Sequence, residues 1–116
     1  MGTATIVLND SPYGIEKLWN ALRLAQALMV SGEKINLFLM GDSVVAAKAG
    51  QETPKGYYNI GEMLTDIVSK GGTVKVCGTC IKARGIRTEE LVNEVQVGRM
   101  LELAGWIKES DKVLTF

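Results

Sequence analysis

The residues best suited to chemistry are two cysteines, Cys77 and Cys80, which lie three positions apart in the segment VKVCGTCIKARGI. The 116-residue chain contains no other cysteine. A thiolate is a nucleophile and a metal ligand, and a Cys-x-x-Cys pair can also cycle between dithiol and disulfide. Arg84 follows Cys80 at helical spacing, and its charge would favour the thiolate. The segment therefore predicts sulfur chemistry.

Four interpretations of the cysteine pair are open on these residues alone. Cys77 could carry sulfur as a persulfide, or the pair could act as a redox dithiol. The two thiols could instead be half of a zinc or iron–sulfur site that another subunit completes. Both could also be small buried hydrophobic residues, as free cysteines often are. The metal site is weakened because zinc needs four ligands and the chain offers few soft ones.

The chain has no histidine, and this narrows the chemistry further. Ser-His-Asp and Cys-His catalysis and the HExxH zinc motif are all excluded. Neither GxGxxG nor GxxxxGK occurs, so no organic cofactor is predicted. The remaining chemistry must use thiols, carboxylates, lysine, tyrosine or backbone amides.

Composition and charge predict a soluble cytoplasmic protein with a single domain over residues 1–116. Thirteen basic residues balance thirteen acidic ones, so no basic field would attract nucleic acid or an anionic membrane. No apolar run suits a membrane helix, and the first residues do not predict a signal peptide. In a reducing compartment a structural disulfide is not expected.

Strands and helices are predicted to alternate along the chain. Short apolar runs predict strands at residues 4–9, 35–40, 73–77 and 112–116. Apolar residues at helical spacing predict long helices at 15–32, 59–71 and 98–109. The last of these is expected to bury Met100, Leu103, Ala104 and Ile107. This alternation is typical of a mostly parallel sheet with helices on both faces.

Particular side chains are predicted to begin or end the helices. Asn59 is expected to cap the second long helix, and Gly85 to end the cysteine turn in a left-handed conformation. Asp42 or Ser43 is expected to cap a short helix that extends to about Ala49, and Thr88 to cap another.

In a parallel sheet, ligands bind beyond the carboxyl ends of the strands. We expect Cys77, Cys80 and Arg84 to form the reactive centre there. The residues expected to line the pocket around them are Asn9, Ser11, Tyr13, Gly14, Asp42, Ser43, Tyr58, Gly78 and Thr79. Turn formation and helix capping are alternative explanations for the first six. Residues 57–59 could form a lid over the thiols or simply join two helices.

Five motifs extend over essentially the whole chain in this order: SPYGIEKLWNALRLA, INLFLMGDSV, GYYNIGEML, VKVCGTCIKARGI and GWIKESDKVLTF. In these motifs the sequence resembles the DsrE/DsrF-like family of small sulfur-relay proteins, and most closely its YchN-like branch. The resemblance implies a three-layer α/β/α sandwich with a mostly parallel central sheet. It also implies a homo-oligomer, commonly a hexamer.

The resemblance implies a role for the cysteine at the end of the third strand. In relay members this cysteine accepts sulfur as a persulfide from a donor protein and passes it to an acceptor protein. Cys77 occupies that position, so the chain would be a sulfurtransferase-like persulfide carrier. Cys80 departs from many relay subunits but fits the YchN-like branch, as a resolving or auxiliary thiol. Relay through Cys77 alone, a Cys77–Cys80 disulfide, and ejection of sulfur by that closure all stay open.

Overall fold

Five strands form the central sheet in the computed structural model, which describes residues 2–116. In chain order they are β1 (Thr3–Leu8), β2 (Lys34–Leu39), β3 (Thr73–Cys77), β4 (Gln96–Gly98) and β5 (Lys112–Thr115). Their order across the sheet is β4-β3-β2-β1-β5, and every neighbouring pair is parallel. The carboxyl ends of all five strands therefore meet at one edge.

Helices cover both faces of this sheet. The α-helices are α1 (Lys17–Val30), α2 (Ile60–Ser69), α3 (Gly78–Ala83) and α4 (Met100–Glu109). Two short 3-10 helices occupy Gly41–Ala47 and Thr88–Glu90. The predicted α/β/α architecture with a parallel central sheet is confirmed. Among the described residues, no helix has the length and apolar composition that crossing a bilayer requires.

The larger core lies on the face covered by α1 and α2. Strand residues such as Ile6 and Leu37 point to this side and pack with Leu22 and Leu64. Leucine and alanine dominate the buried stripe of α1, and both favour helix. Gly32 follows α1 with a φ of 94°, a conformation that glycine adopts without strain. This face holds most of the buried apolar area, so most of the hydrophobic stabilisation arises here.

The opposite face is covered by α4 alone. Val7, Phe38 and Leu103 form a small core there, and Trp106 contacts the Phe38 ring edge-on at 6.1 Å between centroids. Lys75 reaches across from β3 to the carboxylate of Glu102 in α4. The expectation that α4 buries four apolar residues is wrong for three of them in the single chain, namely Met100, Ala104 and Ile107.

The helix signals differ in how well they place the elements. Asn59 does cap α2, because its Oδ1 accepts the Glu62 amide at 3.0 Å. Gly85 has the expected left-handed conformation, with a φ of 68°. Short 3-10 helices do form at Gly41–Ala47 and Thr88–Glu90, but the predicted caps at Asp42 or Ser43 and at Thr88 are wrong. The residues in the cap positions are Met40 and Arg87. The helix expected at 98–109 begins at Met100, and β4 precedes it.

Candidate functional site

Cys77 is the last residue of β3 and directly precedes α3. Side chains alternate along β3, so Val74 and Val76 enter the larger core while Lys75 and Cys77 lie on the α4 side. Cys77 pairs with Gly98 across the β3–β4 ladder. The Cys77 thiol is free and half-buried. It therefore lies at the predicted edge of the sheet without being enclosed there.

The backbone places Cys80 against the Cys77 sulfur. The Cys80 amide donates a hydrogen bond to Cys77 Sγ at 3.4 Å. The Gly41 amide, which follows β2, donates to Cys80 Sγ at 3.2 Å. Both sulfur atoms therefore accept backbone N–H groups, an arrangement that stabilises negative charge on sulfur.

The surroundings of Cys80 favour its protonated form. Burial raises the pKa of the Cys80 thiol above its ordinary value, and the hydrogen bond with the Cys77 side chain adds to this. The Gly41 amide and the charge of Arg84 act in the opposite direction. Because the net shift is upward, Cys80 keeps its proton near neutral pH and is a poor candidate for the nucleophile.

A cavity of about 650 Å³ opens beside the two thiols. It is lined by Met40, Cys77, Gly78, Thr79, Cys80, Lys82, Val97, Gly98, Arg99 and Met100. Its walls are mostly apolar, and the charged side chains in it are both basic, Lys82 and Arg99. A small anion or a sulfur anion on Cys77 would therefore meet favourable charge in this cavity.

Two glycines keep the cavity open next to Cys77. A Cβ atom added to Gly78 would lie 3.0 Å from Val97 Cγ1. One added to Gly98 would lie 3.0 Å from Phe38 Cε2 and 3.1 Å from Lys75 Cβ. Both contacts are closer than ordinary van der Waals distance, so larger residues here would push β4 away from the thiol.

Arg84 stabilises the local backbone. Its Nε and Nη2 atoms donate to Asp42 Oδ1 at 3.2 and 2.8 Å, and its Nη1 atom donates to the Cys80 carbonyl at 3.1 Å. None of these bonds reaches a thiol. Arg84 acts on Cys80 through its charge, while its bonds fasten α3 to the 3-10 helix that follows β2. Asp42 is the exposed partner in this pair.

Ser43 and the residues of the first turn lie outside the thiol cavity. The Ser43 hydroxyl is fully buried and donates to the carbonyl oxygens of Leu8 and Met40, at 2.7 Å each. The Asn9 amide side chain donates to the Phe116 carbonyl, which fastens the end of the chain. Ser11 and Gly14 lie together in the turn after β1. These four residues shape the edge of the sheet.

Tyr13 and Tyr58 belong to an aromatic cluster instead. Tyr58 stacks on Trp19 at 4.7 Å and on Tyr57 at 4.6 Å between ring centroids. The Tyr13 hydroxyl donates to Gln51 Oε1 at 2.6 Å and accepts the Ile60 amide at 2.9 Å. Burial, followed by the hydrogen bond with Tyr57, raises the pKa of Tyr58 to about 12. The cluster holds the connection before α2, and residues 57–59 do not line the thiol cavity.

Comparison with known protein families gives a match over nearly the whole chain. The DsrE/DsrF-like family matches residues 3–116. The chain belongs to this family. It is 46% identical over 118 residues to protein YchN of Escherichia coli K12, with both chains covered completely. It is also 40% identical over 112 residues to MK0008 of Methanopyrus kandleri, covering 97% of this chain and 92% of that protein.

The crystal structure of the ychN protein from E. coli has the same fold as this DsrE/DsrF-like chain. The two superimpose with a TM-score of 0.93 at 46% identity, and each chain is covered completely. The resemblance expected from the five sequence motifs is therefore confirmed at the level of family and fold.

Six residues that line the cavity were not predicted from the sequence. They are Met40, Lys82, Val97, Gly98, Arg99 and Met100. Met40 could have been predicted, because it directly follows β2, the strand next to β3. Lys82 could have been predicted too, because it lies in the same helical turn as Cys80. The other four depend on β4, which places them beside the thiols and which the sequence did not predict.

The described residues offer few metal ligands near the thiols. Within residues 2–116, no three cysteine, aspartate or glutamate side chains are arranged to hold one ion. A metal at this site would receive two sulfur ligands from one chain and would need the rest from another.

Proposed function

We propose that this chain is a small cytoplasmic sulfur carrier, which accepts sulfur as a persulfide on Cys77 and passes it to an acceptor protein. The observation that carries the proposal is the position of Cys77 Sγ. It lies half-buried at the end of β3, accepts the Cys80 amide, and faces an open cavity whose charged groups are basic. Membership of the DsrE/DsrF-like family supports the same chemistry.

Sulfur transfer in each direction is a thiol exchange without net oxidation. The Cys77 thiolate attacks the outer sulfur of a donor persulfide, R–S–SH, and forms Cys77–S–SH while R–S⁻ leaves. An acceptor thiolate then attacks the outer sulfur of Cys77–S–SH, takes it as a new persulfide, and releases the Cys77 thiolate. Donor and acceptor are proteins in this proposal, because an open cavity leaves the carried sulfur within reach of another chain.

The cavity suits a persulfide anion. A persulfide is more acidic than the parent thiol, so it is ionised near neutral pH. The Cys80 amide and the charges of Lys82 and Arg99 stabilise that anion, and the apolar wall formed by Val97 and Met100 limits its access to water.

Intact-mass analysis after exposure to inorganic polysulfide tests this role. After loading on ice at mildly acidic pH, we expect the native chain to gain one sulfur atom, Cys80→Ser to gain it too, and Cys77→Ser to gain none. Ala83→Ser is the matched control, because it adds a hydroxyl to an exposed position of the same short helix. Normal loading of Cys77→Ser would show that the sulfur acceptor is another residue.

A thiol–disulfide redox protein is the second candidate, favoured by the contact between the Cys80 amide and Cys77 Sγ. This function requires a reversible Cys77–Cys80 bridge, and its activity needs both cysteines. Titration against dithiol buffers measures the bridge, while insulin reduction measures the activity. Disulfide reductase activity without sulfur loading would favour this candidate over the carrier.

A non-enzymatic oligomer that binds a metal or small ligand at its thiols is the third candidate. It would need thiols from more than one chain, as argued above. Metal analysis of protein purified without chelator distinguishes it from the carrier. Stoichiometric zinc or iron, lost when either cysteine is replaced, would favour the metal-binding module.

We also propose that the carrier is a homo-oligomer, with the hexamer that the family resemblance implies as the expected state. Leu101 is 82% exposed and Met100 57% exposed in the single chain, and Val97 and Ile107 are further exposed apolar side chains of β4 and α4. Sedimentation velocity gives the subunit number directly. Leu101→Glu is expected to weaken the assembly, and a native chain that sediments as a monomer would contradict the proposal.

A further inference from the structure

The two thiols of the cavity are connected in a way that a simple carrier does not require. The Cys80 amide donates a hydrogen bond to Cys77 Sγ at 3.4 Å. Cys80 lies in the first turn of α3, which begins directly after Cys77. The Gly41 amide donates a hydrogen bond to Cys80 Sγ at 3.2 Å. Any sulfur carried on Cys77 therefore has a second thiol next to the bond that attaches it.

We propose that Cys80 discharges the carried sulfur as hydrosulfide when no acceptor takes it, which makes the chain a sulfide-releasing protein as well as a carrier. This inference rests on the proposed persulfide on Cys77. Cys80 Sγ attacks Cys77 Sγ, the bond between Cys77 Sγ and the outer sulfur breaks, and a Cys77–Cys80 disulfide forms.

Atoms and electrons balance within the loaded chain. The reaction is Cys77–S–S⁻ + Cys80–SH → Cys77–S–S–Cys80 + HS⁻, and the Cys80 proton leaves on the outer sulfur. The outer sulfur is reduced to sulfide while the two protein thiols are oxidised to the disulfide. The step therefore needs neither an external oxidant nor an external reductant, and a cellular dithiol would return the chain to its starting form.

The local groups support this direction of attack. Cys80 carries the proton that the departing sulfur needs, and the Gly41 amide stabilises the negative charge that develops on Cys80 Sγ. The hydrosulfide leaves through the open cavity, where Lys82 and Arg99 attract an anion. The same groups that favour a persulfide on Cys77 thus also favour its removal by Cys80.

A two-stage experiment tests the discharge. The native chain, Cys80→Ser and Ala83→Ser are loaded anaerobically with inorganic polysulfide on ice at mildly acidic pH, where the Cys80 thiol keeps its proton, and are desalted. Discharge is then started by transfer to mildly alkaline buffer without acceptor. Free sulfide is counted with a bimane alkylating probe, and the protein is weighed intact at intervals.

We expect the native chain and Ala83→Ser to release one sulfide per loaded chain and to end two hydrogen atoms lighter than the reduced protein. Cys80→Ser should keep its extra sulfur under the same conditions. Retention of sulfur by the native chain for as long as by Cys80→Ser would overturn the discharge and leave the carrier intact, as would a disulfide without released sulfide. Failure of every variant to load would instead contradict the proposed function itself.

Discussion

The turn after β1 and the turn after β3 lie at the same edge of the sheet, and they use their polar groups in opposite ways. In the first turn the Tyr13 hydroxyl is occupied by both Gln51 and the Ile60 amide. Tyr13 also has a φ of 71°, which is unusual outside glycine. In the turn after β3, Cys77 Sγ accepts one long hydrogen bond, from the Cys80 amide, and otherwise faces an open cavity.

This difference shows that position at the carboxyl edge of a parallel sheet is not sufficient for a functional role. Polar side chains whose hydrogen bonds are all made within the chain stabilise the fold, as Tyr13 and Ser43 do. A reactive group needs an unsatisfied atom and room beside it. The two turns can therefore be separated by experiment, since one should govern stability and the other reactivity.

Removal of the Tyr13 hydroxyl should have the largest effect on stability. Tyr13→Phe leaves the Ile60 amide without its acceptor and leaves Gln51 Oε1 with the Gly61 amide as its remaining donor. We therefore expect a loss of about 1–3 kcal/mol in the free energy of unfolding. Urea denaturation measures this loss. Sulfur loading of Cys77 should be unchanged in the folded variant.

Tyr57→Phe is the matched control for this substitution. It removes a hydroxyl from the same aromatic cluster, but one that lies outside the two hydrogen bonds of Tyr13. Its unfolding free energy should fall by less than that of Tyr13→Phe. A slowed loading reaction in Tyr13→Phe would mean that the first turn reaches the thiols after all.

Reversal of the Lys82 charge should change reactivity without changing stability. In a Cys80→Ser background, Lys82→Glu should slow the reaction of Cys77 with a dianionic aromatic disulfide by about fivefold, or ~1 kcal/mol for a close charge in water. Reaction with neutral iodoacetamide should change little, and added salt should reduce the difference. Lys55→Glu provides the same charge change in the connection before α2, outside the cavity. Equal effects of the two substitutions would exclude a local role for Lys82.

The ion pair that joins β3 to α4 should give a smaller, pH-dependent effect. The hydrogen bond from Lys75, followed by that from the Arg99 amide, holds the pKa of Glu102 below its ordinary value of 4.5. Because folding lowers this pKa, the ionised carboxylate stabilises the fold at pH values above the pKa of the unfolded chain. This stabilisation is lost as the pH falls through the pKa of the folded chain.

Thermal unfolding from about pH 7 to about pH 3 checks this linkage. The native chain should unfold at a higher temperature than Glu102→Gln near neutral pH, and the difference should shrink towards the acidic end. A difference that stays constant with pH would show that the Glu102 carboxylate charge does not contribute.

The sequence predicted those elements whose signal lies within one continuous segment. The apolar runs of β1, β2 and β3 and the cap at Asn59 are of this kind. Strand β4 has only the residues Gln96, Val97 and Gly98, which is too short to show an alternating pattern. Its existence depends on pairing with β3, so the cavity wall that it carries could not be predicted either.

Most of the other residues predicted to line the pocket lie outside the cavity for a related reason. Asp42 and Asn9 are polar residues at the correct edge, but distant parts of the chain take up their hydrogen-bonding groups, namely Arg84 and the Phe116 carbonyl. Such partners are fixed only when the whole sheet has formed. Gly78 and Thr79, in contrast, follow Cys77 directly in the chain and line the cavity beside it.

The position of β5 has a consequence for how the chain is made. Strand β1 lies between β2 and β5, and the contact from the Thr3 amide to the Asp111 carboxylate spans 108 residues of sequence. Until residues 112–115 have been synthesised and have paired with β1, one edge of β1 therefore remains open to other newly made chains.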